Sequence, residues 1–288
     1  MPNSPSTSPE NIIKRVSTVA SLPQIFMKVE ETLNNPASSS MHLAKVIEED
    51  PALTGRLLRL ANSAYYGFSA KIESVNHAIT AMGTQQLREL VLACSVLKLF
   101  KDIPEELVNM ELFWRHSIAC GVVARAIAHL RFESNIERYF VAGLLHDVGR
   151  LILFMQKPNV MLNMIQLAQQ KQQLLYRVEN EVLGFNHAKL GGLLMASWKL
   201  SPRLIESISW HHAPTMAKQF PIDAAIIHTA DIIANALELG NSGEKMVPNL
   251  KPAAWDSLGL EINALEKIIS ILDQQYQHGV RFILGEEE

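Results

Sequence analysis

From Ile12 onward, almost every apolar residue of this chain recurs at helical spacing, and no stretch shows the strict alternation of a half-buried strand. Helix-starting chemistry punctuates that pattern. Asp50-Pro51 offers an N-cap carboxylate and then a proline where its missing N–H does no harm, and Pro23, Pro158, Pro202 and Pro221 open other apolar runs. Ser38-Ser39-Ser40, Ser74 and Thr84 stand where helix caps are needed. A chain patterned this way buries its apolar surface by packing helix on helix, so an all-α fold is expected.

Read in order, the first helix carries Ile12, Ile13, Val16 and Val19, and the second carries Ile25, Phe26, Val29 and Leu33 before Asn34-Asn35-Pro36 ends it. The helix opened by Pro51 breaks into Asn62-Ser63-Ala64-Tyr65-Tyr66-Gly67-Phe68. A short helix through Ile79 and Met82 stops at Gly83, and a longer one runs from Gln85 to Phe100 with Thr84 as its cap. Charge, a proline and a fresh helix start coincide at Lys101-Asp102-Ile103-Pro104, the best internal boundary. The expected organisation is a disordered tail over 1–10, an N-terminal helical subdomain over 11–103, and a C-terminal helical bundle over 104–288 against which it packs. The second part is expected to hold a helix from Glu105 to about Leu130 and a buried helix from Glu137 that Gly149 stops with a left-handed turn. It continues with a short helix or turn over Glu179–Phe185, a helix from His187 in which Gly191-Gly192 allows close packing, and one from Pro202 to His211-His212. A helix from Pro221 has Asp231 in its middle, Asn241–Pro252 reads as a loop, Ile262–Leu272 as an amphipathic helix, and Glu286-Glu287-Glu288 as a free acidic tail.

The 288 residues are 48% hydrophobic and 19% charged, enough for a substantial core. A net charge of -3 gives no electrostatic footprint for DNA, RNA or anionic lipid. Arg, Lys, Asp or Glu interrupts every apolar run before it reaches membrane-spanning length, and the Pro/Ser-rich start MPNSPSTSPE lacks the pattern of a secretory signal. Cys94 and Cys120 sit inside apolar helical patterns and read as small buried hydrophobes in a reducing cytoplasm.

The string EEDPALTGRLLRLANSAYYGFSAKIESVNHAITAMGTQQLRELVL resembles the N-terminal part of the HDOD family, whose name stands for an HD-related output domain. Asp50-Pro51-Ala52-Leu53, Leu60-Ala61-Asn62-Ser63, Ile72 to Ala78-Ile79 and Met82-Gly83 carry the likeness. Read as residues alone, Asn62 and Ser63 need only end a helix. Tyr65, Tyr66 and Phe68 need only pack, or else form an exposed contact patch.

In the second half, histidines and acids recur at helix ends. Adjacent imidazole and carboxylate groups at His146-Asp147 are good ligands for one divalent ion. Taken singly, each such residue has an ordinary role: His116 as a hydrogen-bonded core histidine, Asp147 and His187 as caps, His211-His212 as partners of a helix C-terminus. Asp231, among Ile226, Ile227, Ile232 and Ile233, is costly without a partner or cation. Together they resemble the HD superfamily of metal-dependent phosphohydrolases, and specifically its HD-GYP branch. His116-Ser117, His146-Asp147-Val148-Gly149, His187 with Leu190-Gly191, His211-His212, and Ala230-Asp231 match its motifs in order.

That resemblance implies an HD-type bundle in which His116, His146, Asp147, His187, His211, His212 and Asp231 hold one to three divalent ions, iron or manganese foremost. Asp147 would be the shared carboxylate and Arg150 the grip on phosphate. The chain departs from the HD-GYP branch in two places: the Gly-Tyr-Pro loop after the paired histidines is absent, and Arg150 stands where that branch has Lys. The likeness therefore carries metal binding further than turnover. It implies a bacterial signal-transduction output module that meets signalling partner proteins. The alternative it implies is a metal-dependent phosphohydrolase acting on a nucleotide or phosphodiester, a cyclic dinucleotide among the candidates.

Overall fold

The computed structural model describes residues 8–16, 21–63, 65–100 and 103–285, and every regular element among them is a helix. In the first half these are α1 (Pro9–Arg15), α2 (Gln24–Asn34), α3 (Ser40–Glu48), α4 (Pro51–Ala61), α5 (Val75–Met82) and α6 (Thr84–Leu97). The second half has α7 (Met110–Leu130), α8 (Glu137–Leu145), α9 (Val148–Gln156), α10 (Pro158–Lys171) and α11 (Leu175–Leu183). It ends with α12 (His187–Ser197), α13 (Pro202–Trp210), α14 (Pro221–Ala236), α15 (Pro252–Leu258) and α16 (Ala264–Leu284). No helix among the described residues is long and apolar enough to cross a membrane.

The starts follow from local chemistry. The Asp50 carboxylate accepts from Leu53 N at 3.0 Å, and Ser74 Oγ from His77 N at 3.1 Å. Ser39 and His42 form a reciprocal capping box, with Ser39 N donating to His42 Nδ1 at 3.1 Å. Boundaries moved where a nearer cap competed. Asn109 caps Leu112 N at 2.8 Å, so the helix expected from Glu105 begins at Met110. Ser8 caps α1, which takes Pro9 and Glu10 out of the expected tail. Gly83, at φ +93°, is itself the residue before α6, so Thr84 begins the helix instead of capping it. That helix gives way at Lys98–Phe100 to a single 3-10 turn. The last helix runs on to Leu284, because its apolar stripe continues through Tyr276, Val280 and Ile283. The expectations for residues 1–7, Val19, Ala64, Lys101-Asp102 and Glu286–Glu288 fall outside the described residues.

The 21-residue α7 is the axis of the molecule, buried almost continuously from Phe113 to Ala128. It packs chiefly against α8, α16 and α14. Buried apolar side chains from Ile12 to Ile283 form one contiguous cluster, joined across the halves where α6 lies on α8 and α16 returns to α4. Cys94 and Cys120 are both inside it, and burial pushes the Cys94 thiol up to about 12.

Asn62 does more than end a helix. Its side chain donates to Ile72 O at 2.7 Å and accepts from Ile72 N at 2.8 Å, closing the loop that carries the tyrosines. Tyr65 is buried rather than exposed, Tyr66 is half-buried, and Phe68, stacked on Tyr66, is 38% exposed. The expected contact patch thus shrinks to one ring. The Arg125 guanidinium holds this loop on the second half: its centre lies 4.2 Å from the Tyr65 ring and 5.4 Å from that of Tyr66. Its Nε donates to the fully buried Glu137 at 2.7 Å, and Nη1 donates to Gln275 at 3.0 Å. Truncating it strands a buried carboxylate. Arg125→Ala should therefore cost about 3–5 kcal/mol in denaturant unfolding; a loss below about 1 kcal/mol would show that the pair holds little.

Candidate metal centre

The α8 helix closes at Leu145 with His146 still in helical conformation, and Asp147, at φ -98° and ψ 4°, turns the chain into α9. The two helices meet at an elbow whose side chains point inward. Gly149 does not stop a helix, contrary to expectation. It lies in the first turn of α9 without a positive φ, and an added Cβ there would run into the carbonyl oxygen of His187. Its role is close approach: α12 crosses α9 at backbone distance, which brings His187 to Asp147.

Four elements deliver the remaining groups. His116 comes from mid-α7, His187 is the first residue of α12, His211 and His212 follow α13, and Asp231 comes from α14. All seven converge. The ligand atoms of Asp147, His187, His211 and His212 lie within 4.8 Å of one another, as do those of His116, His146 and Asp231. Asp147 joins the two groups. Its Oδ1 is 2.9 Å from His187 Nε2 and 3.9 Å from His211 Nε2, and its Oδ2 is 3.4 Å from His146 Nε2 and 3.9 Å from His116 Nε2. Asp231 Oδ1 lies 3.3 Å from His116 Nε2 and 3.5 Å from His146 Nε2. His212, at 8%, is the most exposed of the seven.

The outer nitrogens of three imidazoles are already committed. His146 Nδ1 meets Gly143 O at 2.6 Å, His211 Nδ1 meets Ile208 O at 2.8 Å, and His187 Nδ1 meets Glu179 Oε2 at 2.6 Å. These acceptors fix the N–H on Nδ1 and turn the Nε2 lone pairs inward. Nε2 of His212 stands 3.0 Å from Nε2 of both His187 and His211, so three ring nitrogens face one spot that a cation can share. His116 Nε2, His146 Nε2 and Asp147 Oδ1 are buried and make no hydrogen bond, although each has close neighbours. Atoms aimed at a common point without bonding one another fit a metal ion.

The charges agree. Burial works to neutralise Asp147, yet Arg150, His146 and His187 hold its carboxyl well below the usual carboxylate range. Burial is likewise outweighed at Asp231 by His116 and His146. His211 is pushed down to about 3 by burial and by the neighbouring imidazoles, leaving a neutral ligand. Oxygen and imidazole donors without thiolate suit a hard-to-borderline divalent ion.

Arg150 is buried and engaged. Its Nη1 donates to Asp147 Oδ2 at 2.8 Å and to Ser242 Oγ at 2.5 Å. Several supporting residues were not singled out from the sequence. Glu179 accepts from both the main chain and the ring of His187, at 2.8 and 2.6 Å. Asn235 donates to Asp231 Oδ1 at 2.7 Å, and Tyr176 stacks on His212 at 4.1 Å. Only Asn235, one turn after Asp231, carried a usable signal, the helical spacing that lets the two side chains meet.

A family model described as HDOD domain matches residues 19–214. The chain belongs to the HDOD family. The HDOD match ends before Asp231 and the Ser242 segment. A Geobacter sulfurreducens HDOD domain protein of unknown function is 24% identical in structure-based comparison, covering 93% of this chain and 97% of that one at TM-score 0.72. A candidate phosphohydrolase of Shewanella amazonensis SB2B is 23% identical, covering 94% and 96% at TM-score 0.71. Both show the same all-helical fold. The cyclic di-GMP phosphodiesterase CdgJ of Vibrio cholerae is 24% identical over 128 residues, 44% of this HDOD chain and 28% of its own length. This chain spans well under half the length of the curated relatives it matches.

Removing the group that orients His187 should loosen the site without emptying it. Glu179→Gln is expected to weaken divalent-metal affinity by about 10- to 100-fold, measured by competition with a chromophoric chelator. An affinity equal to wild type would mean that Glu179 does not position that ring.

Proposed function

We propose that this HDOD protein is a signalling output module of the cytoplasm, built around a buried iron or manganese centre, and that it acts through partner proteins. The observation that carries the reading is the burial of all seven donors, none more than 8% exposed, together with an Arg150 already engaged by Asp147 and Ser242. A site organised for turnover keeps a position open to substrate. Here protein atoms fill the surroundings, as in a centre that fixes a conformation. The donors fall into two groups joined by Asp147, which fits two ions within the expected range of one to three. His116, His146 and Asp231 would hold one, and His187, His211 and His212 the other. Five helical elements are tied together by such a centre, so metal occupancy sets which surface the module offers to a partner.

A second reading is a metal-dependent phosphohydrolase acting on a nucleotide or phosphodiester. It draws support from the activity named for the Vibrio cholerae relative and from the unbonded inward atoms of His116, His146 and Asp147. A bound divalent cation supplies Lewis acidity and lowers the pKa of a coordinated water. The chain's own contribution would be Asp147 as the shared carboxylate and Arg150 as the holder of a phosphoryl oxygen.

Two measurements separate these. Elemental analysis of purified wild type should find iron or manganese, and Asp147→Ala and His146→Ala should each lose it while keeping helical circular dichroism. Equal metal content in all three would end the metal-centre reading. Manganese- or iron-loaded wild type should then be assayed on bis-p-nitrophenyl phosphate. Turnover above the Asp147→Ala background favours the phosphohydrolase, and its absence leaves the signalling module.

A further inference from the structure

The loop between α14 and α15, read in sequence only as a polar connector, is fastened over the centre. At one end Gly240, at φ +87°, lies so close to the α7 backbone that a Cβ would strike Leu112 O and His116 N. Asn241 N then donates to Leu112 O at 2.9 Å. Ser242, 1% exposed, reaches Arg150 with its hydroxyl at 2.5 Å and its carbonyl oxygen at 3.4 Å. Glu244 follows. Its Oε2 accepts from Leu175 N at 2.8 Å, and its Oε1 from Lys245 N at 2.9 Å and Met246 N at 3.1 Å. At the far end Lys251 N donates to His228 Nε2 at 3.0 Å, and the other nitrogen of that ring bonds His211 O at 2.7 Å. The segment is thus tied to the backbones or side chains of the groups that bear His116, Asp147 and His211.

We propose that residues 238–244 are a self-inhibitory lid, and that Ser242 occupies on Arg150 the place of a phosphoryl oxygen. The inference rests on the metal-centre reading for what lies beneath the lid, but not for the lid itself. Three features carry it. First, two oxygens of one residue converge on a single buried guanidinium nitrogen that also donates to Asp147. A guanidinium beside a metal-binding carboxylate is a natural receptor for a phosphate oxyanion. Second, the lid accounts for part of the burial of the site, since it covers α7 at His116 and reaches Arg150 directly. A phosphoryl ligand cannot reach Arg150 until Ser242 leaves. Third, the segment has the backbone to move. Glu238, Gly240 and Gly243 all stand at positive φ, 53°, 87° and 106°, and two of the three are glycines that adopt other conformations without a side-chain clash. Held shut, the chain is a closed signalling module. Opened, it exposes Arg150 and the Asp147 edge of the centre to an anion. No atom of the lid is itself a donor to the proposed metal, so opening leaves the ligand set whole.

Backbone amide exchange in the full chain tests this, first without metal. Ser242→Ala removes the hydroxyl bond to Arg150 and should speed exchange across 240–244 by about tenfold. Ser242→Thr, which keeps the hydroxyl, should exchange as wild type does. Rates within twofold of wild type in Ser242→Ala would overturn the latch. In manganese-loaded wild type, millimolar inorganic phosphate should raise exchange across 240–244, because an anion on Arg150 selects the open form. Unchanged rates with phosphate would overturn the competition between Ser242 and a phosphoryl oxygen. If no variant retains manganese, the metal-centre reading fails while the metal-free exchange comparison still decides the latch.

Discussion

Two carboxylates, Asp147 and Asp231, are buried in the middle of an all-helical core and kept ionised there. Placing such charges away from water is expensive unless partners surround them. The arrangement of α7 to α14 answers that demand. Among the described residues, Arg150 supplies the one fixed positive charge in direct contact with Asp147, and four imidazoles stand within 4 Å of one or both carboxylates. The outer nitrogens of three of them, His146, His211 and His187, are held by Gly143 O, Ile208 O and Glu179. The inner faces are therefore electron-rich, and a divalent cation is the group that balances them. Helix crossings that look like ordinary packing, such as α9 against α12 at Gly149, are set at the separation this cluster needs.

Closure of the same cluster separates metal binding from chemistry. Ligand convergence and an exposed reacting position are different properties, and here the converging donors are all buried. Arg150 marks the difference. In a receptor for phosphate its nitrogens would await an anion, whereas here Nη1 is shared between Asp147 and Ser242.

The sequence made the class of fold legible because period and caps act locally. Asp50, Ser74, Pro158, Pro202 and Pro221 start helices for reasons complete within four residues. The gathering of the seven donors was legible only through the order of motifs, since no local rule brings mid-α7 to the end of α13. What the sequence hid was contact between distant main chain and side chain. Glu179 looked like one more acid on a short helix, and Ser242 like loop filler, yet each bonds a residue of the centre. Gly149 was misjudged for a related reason. A glycine after a helix suggests a turn, and only the tertiary crossing with His187 shows that it is needed for space.

The same geometry bears on how the first half of the chain is joined to the centre. Arg125 and His116 are on α7, nine residues apart, and Glu137 and His146 stand nine apart along α8 and its extension. At helical rise, each separation is about 13.5 Å. The Arg125–Glu137 pair, which carries the Tyr65-Tyr66 loop, therefore clamps one end of a helix pair whose other end presents His116 and His146-Asp147. Two packed α-helices are stiff over that distance, so the loop and the metal-bearing end form one rigid unit. Stiffness alone does not make a signal, because coupling needs an element with two arrangements. Neither helix offers one: both are buried along most of their length and close-packed. The segment after α14, with two glycines at positive φ and its contacts to α7 and Arg150, is the one we propose for that role. Change at the centre is accordingly expected at its cover, with the first half held as a fixed platform.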